Sequence, residues 1–460
     1  MSGILPALSG PTADRLLLAA LALAVAGLLL VISRRQPILL AAGYLGVMCF
    51  VPIWSGIAVG VYFQPQVLMG LLVLAVAVPR IRRLGGRLAA VDLLVVLLVV
   101  GCLAPLAVGT ATLSSVVVAA VQYLGAYLVG RLLPSLVGWD RLLRLVLVVF
   151  SLLAVATLAE NLTGTNPFLS FPGSPGLRAL WDGIQIRGGV ARAEGAFGHS
   201  IALGASLALA LPLVLAAPVR AWVRVTAAAV MLGAVVVTYS RIGLVTAVLG
   251  VALSVLMARE LTVRLRVLLV GAGAAVLAVT APLLSRVFLA AGDEATNSAA
   301  YRADLLALVG EIDALGFSSS FSRGPDGSVR FDSFGSIDSA LILHGLTYGW
   351  MPLLVVLVLL GAAVVAVALR RAAAPTIAIA AQVPALATVA LITQYATLVW
   401  FVGGLAVWAQ LARPPRPAEE PGDGWPGVPT TDDVPSDQRV GRIPSSLRRP
   451  LDTRVAGGRV

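Results

Sequence analysis

The apolar positions of this chain fall into long uninterrupted runs rather than narrow stripes. Runs at 16–33, 37–54, 64–78, 91–111, 114–133, 142–160, 201–217, 222–238, 242–257, 265–284, 351–369, 377–392 and 396–411 hold almost no charge. A helix rises about 1.5 Å per residue, so roughly 20 apolar residues cross the ~30 Å of bilayer hydrocarbon. The thirteen runs predict an all-α fold, a polytopic transmembrane helical bundle of about 12–13 spans over residues 1–412.

Three segments break this rhythm. Residues 161–200, rich in Gly and Pro, read as an outer loop, and residues 291–350 as a larger one. Within the second, Tyr301, Leu305, Leu308 and Ile312 recur at helical spacing among charges, which predicts an amphipathic surface helix over 298–315. A second short helix is expected over 337–346, before the chain turns back into the membrane. The last segment, 413–460, is dense in Pro, Gly, Ser and charge, and is expected to be a disordered cytoplasmic tail.

Composition agrees with a lipid solvent, since 59% of the 460 residues are hydrophobic and 12% charged. A net charge of +11 would suit nucleic acid, but the placement of the basic residues follows topology instead. All of them are Arg, and sixteen fall in alternate short connections: Arg34 and Arg35; Arg80, Arg82, Arg83 and Arg87; Arg131, Arg141 and Arg144; Arg220 and Arg224; Arg259, Arg264 and Arg266; Arg370 and Arg371. Short basic loops resist translocation, so these are expected on the cytoplasmic side, with the N-terminus outside and the C-terminal tail inside a cell membrane. Cys49 and Cys102 fall within apolar runs and read as small packed hydrophobes.

Span interiors are nearly free of ionisable groups, whereas the two outer segments gather Arg178, Asp182, Arg187, Arg192, Glu194, Arg302, Asp332 and Asp338. Both histidines of the chain, His199 and His344, lie there as well. Four groups stand out. The first is Arg192-Ala193-Glu194-Gly195-Ala196-Phe197-Gly198-His199, where Arg offers a planar fork for phosphate and Glu or His a site for a proton. The second is Thr238-Tyr239-Ser240-Arg241, whose lone Arg in a very short outer turn runs against the positive-inside bias. The third is Tyr301-Arg302 on the expected surface helix. The fourth is Ser336-Ile337-Asp338-Ser339, followed by His344 and Gly349. Plain readings compete with each: loop arginines paired with neighbouring acids, a solvated helix face, Asp338 as a helix N-cap and His344 as a packed interfacial histidine. No phosphate loop and no pair of histidines at ligand spacing occurs, so neither a metal nor a cofactor is expected.

The order of these groups, an Arg192-x-x-Gly-x-Phe loop, a Ser240-Arg241 turn, Tyr301-Arg302 opening a large outer segment and an Asp338-Ser339 helix with Gly349 eleven residues on, resembles the O-antigen ligase and O-antigen polymerase superfamily over about residues 35–412. Ligases of that superfamily usually carry His-Asn where this chain has Asp338-Ser339, which favours a polymerase or an exopolysaccharide branch. The resemblance implies transfer or polymerisation of an oligosaccharide carried on polyprenyl diphosphate, at the outer face of the membrane, to a glycan or lipid acceptor. It implies Arg192, Arg241 and Arg302 as ligands of the diphosphate, with Arg187 and His199 as further candidates. Glu194, Asp338 and His344 are the plausible bases, and the residues leave the choice among them open. Membrane lipids and other polysaccharide-assembly proteins are the expected partners. A flippase or transporter of lipid-linked glycan and a non-catalytic envelope scaffold are the rival classes; the first would want cations along a central cavity.

Overall fold

The computed structural model describes residues 35–59, 61–80, 88–107, 109–181, 183–257, 262–290, 301, 304–323 and 329–412. The expected span at 16–33, Asp182, Arg302 and the tail at 413–460 lie outside the described residues. The helices run Pro37–Phe50 (α1), Pro65–Ala77 (α2), Ala90–Ala107 (α3), Leu113–Val137 (α4), Trp139–Thr163 (α5), Pro175–Trp181 (α6), Ser200–Leu215 (α7), Ala221–Val237 (α8), Arg241–Met257 (α9), Val263–Ala290 (α10), Ala340–Tyr348 (α11), Trp350–Ala368 (α12), Ala374–Ala381 (α13), Val383–Thr388 (α14) and Thr393–Leu411 (α15). Strands among the described residues form three short antiparallel ribbons: Ile57–Val59 with Val61–Phe63 (β1, β2), Ile186–Arg187 with Val190–Ala191 (β3, β4) and Phe321–Arg323 with Val329–Phe331 (β5, β6). The fold is therefore all-α in class. Helices α3, α4, α5 and α12 are long and apolar enough to cross a membrane, which marks a membrane protein.

At the centre lies α7, buried along its whole length except at Ile201. A helix that is apolar all round has no face to offer water and is stable only when surrounded. It packs against α5, α8, α9, α13 and α15. Small residues allow the closest approaches. On α9 a stripe of Gly243, Ala247, Gly250 and Ser254 is buried, as expected where lipid supplies no hydrophobic drive and helices associate through close packing. The tightest crossing joins α4 to α15. A Cβ on Gly404 would sit 2.1 Å from the Tyr127 carbonyl oxygen, and one on Gly130 would sit 2.0 Å from that of Phe401. Neighbouring Gly403 faces open space. Gly404→Ala is expected to destabilise the protein by about 1–3 kcal/mol through overpacking, and Gly403→Ala to change stability by no more than about 0.5 kcal/mol. Unfolding of the two variants in detergent checks this, and equal stabilities would contradict the close crossing.

Several sequence expectations need correction. The run 377–392 does not form one regular helix: α13 ends at Ala381, the Gln382 N–H donates to Ile379 O (3.0 Å), and α14 lasts only to Thr388 before extended backbone at Val389. Pro384 explains the break, since it lacks an N–H and its ring crowds the carbonyl four residues back. In the segment expected as a surface α-helix over 298–315, residues 301, 304 and 305 are α-helical and Leu306–Glu311 form a 3-10 helix. Gly310 there disfavours an α-helix by about 1 kcal/mol. The expected apolar face is kept, for Leu305, Leu308 and Ile312 are buried with Leu346 and Leu353. The short helix expected at 337–346 begins three residues later, at Ala340. Ser339 is its N-cap, accepting from the Ile342 N–H at 3.3 Å, so Asp338 precedes the cap and does not serve as it. Residues 118–125 of α4 take a wider, π-helical turn.

Candidate functional site

The Arg192 group is built by three elements that meet beside the start of α7. Gly188 and Gly189, with φ of +54° and +77°, make the two-residue turn between β3 and β4. Such a turn needs positive φ at both positions, which glycine supplies without steric cost. The hairpin is extended by Arg192 N–H donating to Gln185 O (2.9 Å), and Ala193 N–H donates to Val237 O (3.3 Å) at the end of α8.

Two guanidiniums then converge on the Thr238–Ser240 turn. Arg192, only 7% exposed, donates through Nε to the Thr238 carbonyl (2.9 Å) and through Nη1 to Gln185 Oε1 (3.4 Å). Arg187 donates through Nη1 to the next carbonyl, that of Tyr239 (3.2 Å). Tyr239 is buried with φ at +46°, a left-handed conformation that is an outlier for an aromatic residue. Ser240 caps α9 by accepting from the Gly243 N–H (3.1 Å), and Arg241 follows as the exposed first residue of that helix. Arg192 and the further candidate Arg187 thus meet at the turn that carries Arg241.

Two carboxylates hold the same loop. Glu160, in the last turn of α5, accepts the backbone N–H groups of Glu194 (3.0 Å) and Gly195 (2.8 Å). Glu194 is 1% exposed and accepts the Gln185 N–H (2.8 Å). Burial lifts its pKa from the ordinary 4.5 to about 7; the Gln185 N–H and Arg192 pull it down, and Glu160 nearby pushes it further up. His199 caps α7 through Nδ1, which accepts the Ile201 N–H (3.3 Å), so a neutral ring carries its proton on Nε2. Burial and the charge of Arg192 lower its pKa to about 4, which keeps it neutral at pH 7.

Glu194 has a checkable consequence for stability. Its folded pKa is raised, so its contribution is fully present below about pH 4.5 and is lost as pH rises through about 7. Relative to Glu194→Gln, the wild type is expected to lose up to about 3 kcal/mol between pH 4.5 and 8. Thermal unfolding of both proteins across that range measures the difference, and a wild type that gains stability on this scale contradicts a buried Glu194 with a raised pKa.

The remaining sequence candidates form a second group. Tyr301 bonds through its hydroxyl to the Ser336 carbonyl, and Ser336 Oγ donates to Asp338 Oδ1 (3.4 Å), so the third and fourth motifs are neighbours. The Tyr301 phenol is pushed up by burial and by the charge of Asp338. His344, on α11, is 8% exposed among the rings of Tyr123 and Tyr348, at centroid distances of 6.1 and 4.8 Å. Burial lowers its pKa to about 4. It lines a mainly apolar cavity of about 760 Å³, and neither Arg192 nor Arg241 does. The first turn of α15 links the two groups: Thr393 lines the cavity, while Gln394 Nε2 donates to Ala196 O (2.8 Å) in the Arg192 loop.

Arg178 instead ties down its own loop, donating to Leu169 O (2.6 Å). Among the described residues no three His, Cys, Asp or Glu side chains cluster as a metal site. Gln185 and Glu160 were not singled out from sequence. Gln185 is the hub of the basic group, also accepting from Ser200 Oγ (2.7 Å), yet it sits in a featureless loop, and only its contacts mark it. Compared with known proteins, the chain matches no family model, no curated protein and no solved structure.

Proposed function

We propose that this chain is a multi-pass glycosyltransferase of a cell membrane that transfers or polymerises oligosaccharide carried on polyprenyl diphosphate. The observation that carries this reading is the convergence of Arg187 and Arg192 on the Thr238–Arg241 turn, with Arg192 within electrostatic reach of the buried carboxyl of Glu194. In the reaction an acceptor hydroxyl oxygen attacks the anomeric carbon. The bond from that carbon to the phosphate oxygen breaks, and the diphosphate leaves with the electron pair. Charge grows on the leaving group, and preorganised guanidiniums lower the barrier by meeting it, bidentately where geometry allows. Glu194, with a pKa near 7, is matched to accept the hydroxyl proton at neutral pH. His199 is less suited, because its Nδ1 lone pair is engaged in capping α7.

In this reading about a dozen spans cross the membrane. The N-terminus and the segments 161–200 and 291–350 are outside, and residues 413–460 lie in the cytoplasm, following the alternation of arginines. The motif order shared with O-antigen ligases and polymerases supports the same chemistry, and Asp338-Ser339 in place of His-Asn favours polymerisation. With Arg192 and Arg241, Arg302 is the third proposed diphosphate ligand, from the segment that brings Tyr301 beside Asp338.

One observation favours a second reading. The interruption at Gln382 between α13 and α14, in the middle of an apolar run, is the kind of discontinuity that carriers use at their binding sites. Proteoliposomes loaded with lipid-linked oligosaccharide separate the two. A transferase is expected to release polyprenyl diphosphate as longer or transferred glycan appears. Movement of intact donor between leaflets, with no release, would establish the carrier and sink the transferase.

A further inference from the structure

The cavity beside His344 differs chemically from the basic site. On α15 its lining recurs at Thr393, Trp400, Gly403, Val407 and Gln410, a single helical stripe. At about 1.5 Å per residue that stripe is roughly 25 Å long. Below Trp400 the void exists because Gly403 and Ala406 of α15 share its wall with Ala362, Ala363 and Ala366 of α12. Small side chains on both helices leave room that larger ones would fill. Above, the π-helical turn of α4 places Gln122 and Tyr123 in the wall, and the Tyr123 ring stacks on Trp400 at 5.0 Å.

Among the described residues, three polar atoms of side chains lining this cavity are buried without a hydrogen-bond partner: His344 Nε2, Thr393 Oγ1 and Trp400 Nε1. His344 and Thr393 are 8% and 5% exposed. Leaving such a group unsatisfied costs about 1–3 kcal/mol, and native interiors rarely do so without a reason. The indole N–H can only donate and the hydroxyl can donate, so what they lack is an acceptor oxygen. No charged side chain lines the cavity among the described residues. An ionised head group would therefore be stripped of water with no counter-charge. The volume of about 760 Å³ lies within the range of small-molecule sites.

We propose that this cavity binds one uncharged single-chain amphiphile, its hydrocarbon chain along the α15 stripe and its hydroxyl or carbonyl head against His344, Thr393 and Trp400. The low basicity of His344 suits such a head, since a neutral imidazole asks for no counter-ion. Neither Arg192 nor Arg241 lines this site, and it does not depend on the transferase reading.

Photolabelling the full-length protein in nanodiscs with diazirine-bearing hexadecanol tests this. Labelling is expected to saturate and to map to α12 and α15. Gly403→Leu, which fills open space at a position where a new Cβ meets nothing within 4 Å, is expected to weaken it at least about tenfold, a loss near 1.4 kcal/mol. Ala363→Leu fills the same void from α12 and serves if the first variant fails to fold. Trp400→Phe is expected to weaken labelling by about fivefold, one hydrogen bond's worth. The ionised carboxylate analogue at pH 8 is expected to label least. Labelling that never saturates and is unchanged in both filling variants would mean bulk lipid only, and stronger labelling by the carboxylate would mean a cationic site; either overturns the proposal.

Discussion

Replacing Arg192 by Ala is expected to lower transfer from a polyprenyl-diphosphate donor at least about 10²-fold, the scale on which a single preorganised charge-stabilising donor acts. Arg192 is the strongest choice because it is the one the fold holds most rigidly. It is 7% exposed, its Nε is oriented by the Thr238 carbonyl and its Nη1 by Gln185, and it lies within electrostatic reach of Glu194. Arg241, exposed at the start of α9, is less shielded from water and is expected to matter less. Losing Arg192 also removes a tether between the hairpin loop and α8, so the kinetic pattern must separate chemistry from folding. A diphosphate ligand lost from the transition state lowers kcat and kcat/KM together. Arg192→Lys keeps the charge without the planar fork and is expected to retain about a tenth of the activity. Normal transfer by Arg192→Ala, or a loss that tracks only with reduced abundance in the membrane, would remove the diphosphate role.

The second large effect concerns stability. Asp92 at the start of α3 is held by Arg131 of α4 in a two-pronged pair, Nε to Oδ1 at 2.8 Å and Nη2 to Oδ2 at 2.9 Å, with the Tyr127 hydroxyl at 2.5 Å and the Ala89 N–H at 2.7 Å completing the shell. Both charged side chains are 11% exposed. Arg131→Met removes the counter-charge and leaves a buried carboxylate behind, expected to cost about 3–5 kcal/mol. Adding Asp92→Leu is expected to recover most of that loss, because two apolar groups of similar volume replace a pair whose desolvation offset much of its attraction. A double-mutant cycle on unfolding in mixed micelles measures the coupling. If the double variant is no more stable than Arg131→Met, the cost lies in lost packing of the arginine stem and not in the orphaned charge.

The element pattern was legible in the linear chain wherever one principle acted alone. Helices α3, α4, α5 and α12 follow from apolar runs, since no water-facing structure tolerates them. The buried face of 301–312 was readable from spacing, and so was helix at 301, 304 and 305; the 3-10 winding of Leu306–Glu311 was not, because it tightens the backbone without moving the face. Run length alone was misleading at 377–392: hydropathy does not register that Pro384 removes a donor, and the chain breaks there.

Among the candidate site residues, Arg187, Arg192, Glu194 and the Thr238–Arg241 turn were visible as polar outliers in an apolar chain. Their meeting was not, because it depends on contacts between residues some fifty positions apart, such as Arg187 with Tyr239. Gln185 and Glu160 carry no local signature, and each matters only through what the tertiary packing sets beside it. The cavity by His344 is the extreme case. Gly403 and Ala363 read as ordinary small residues in ordinary spans, and a void between helices is a property of the pair that neither sequence segment contains. Composition and periodicity settle which segments leave water, because that choice is made residue by residue. Which side chains share a site is decided only when helices choose their neighbours, and close packing makes that choice collectively.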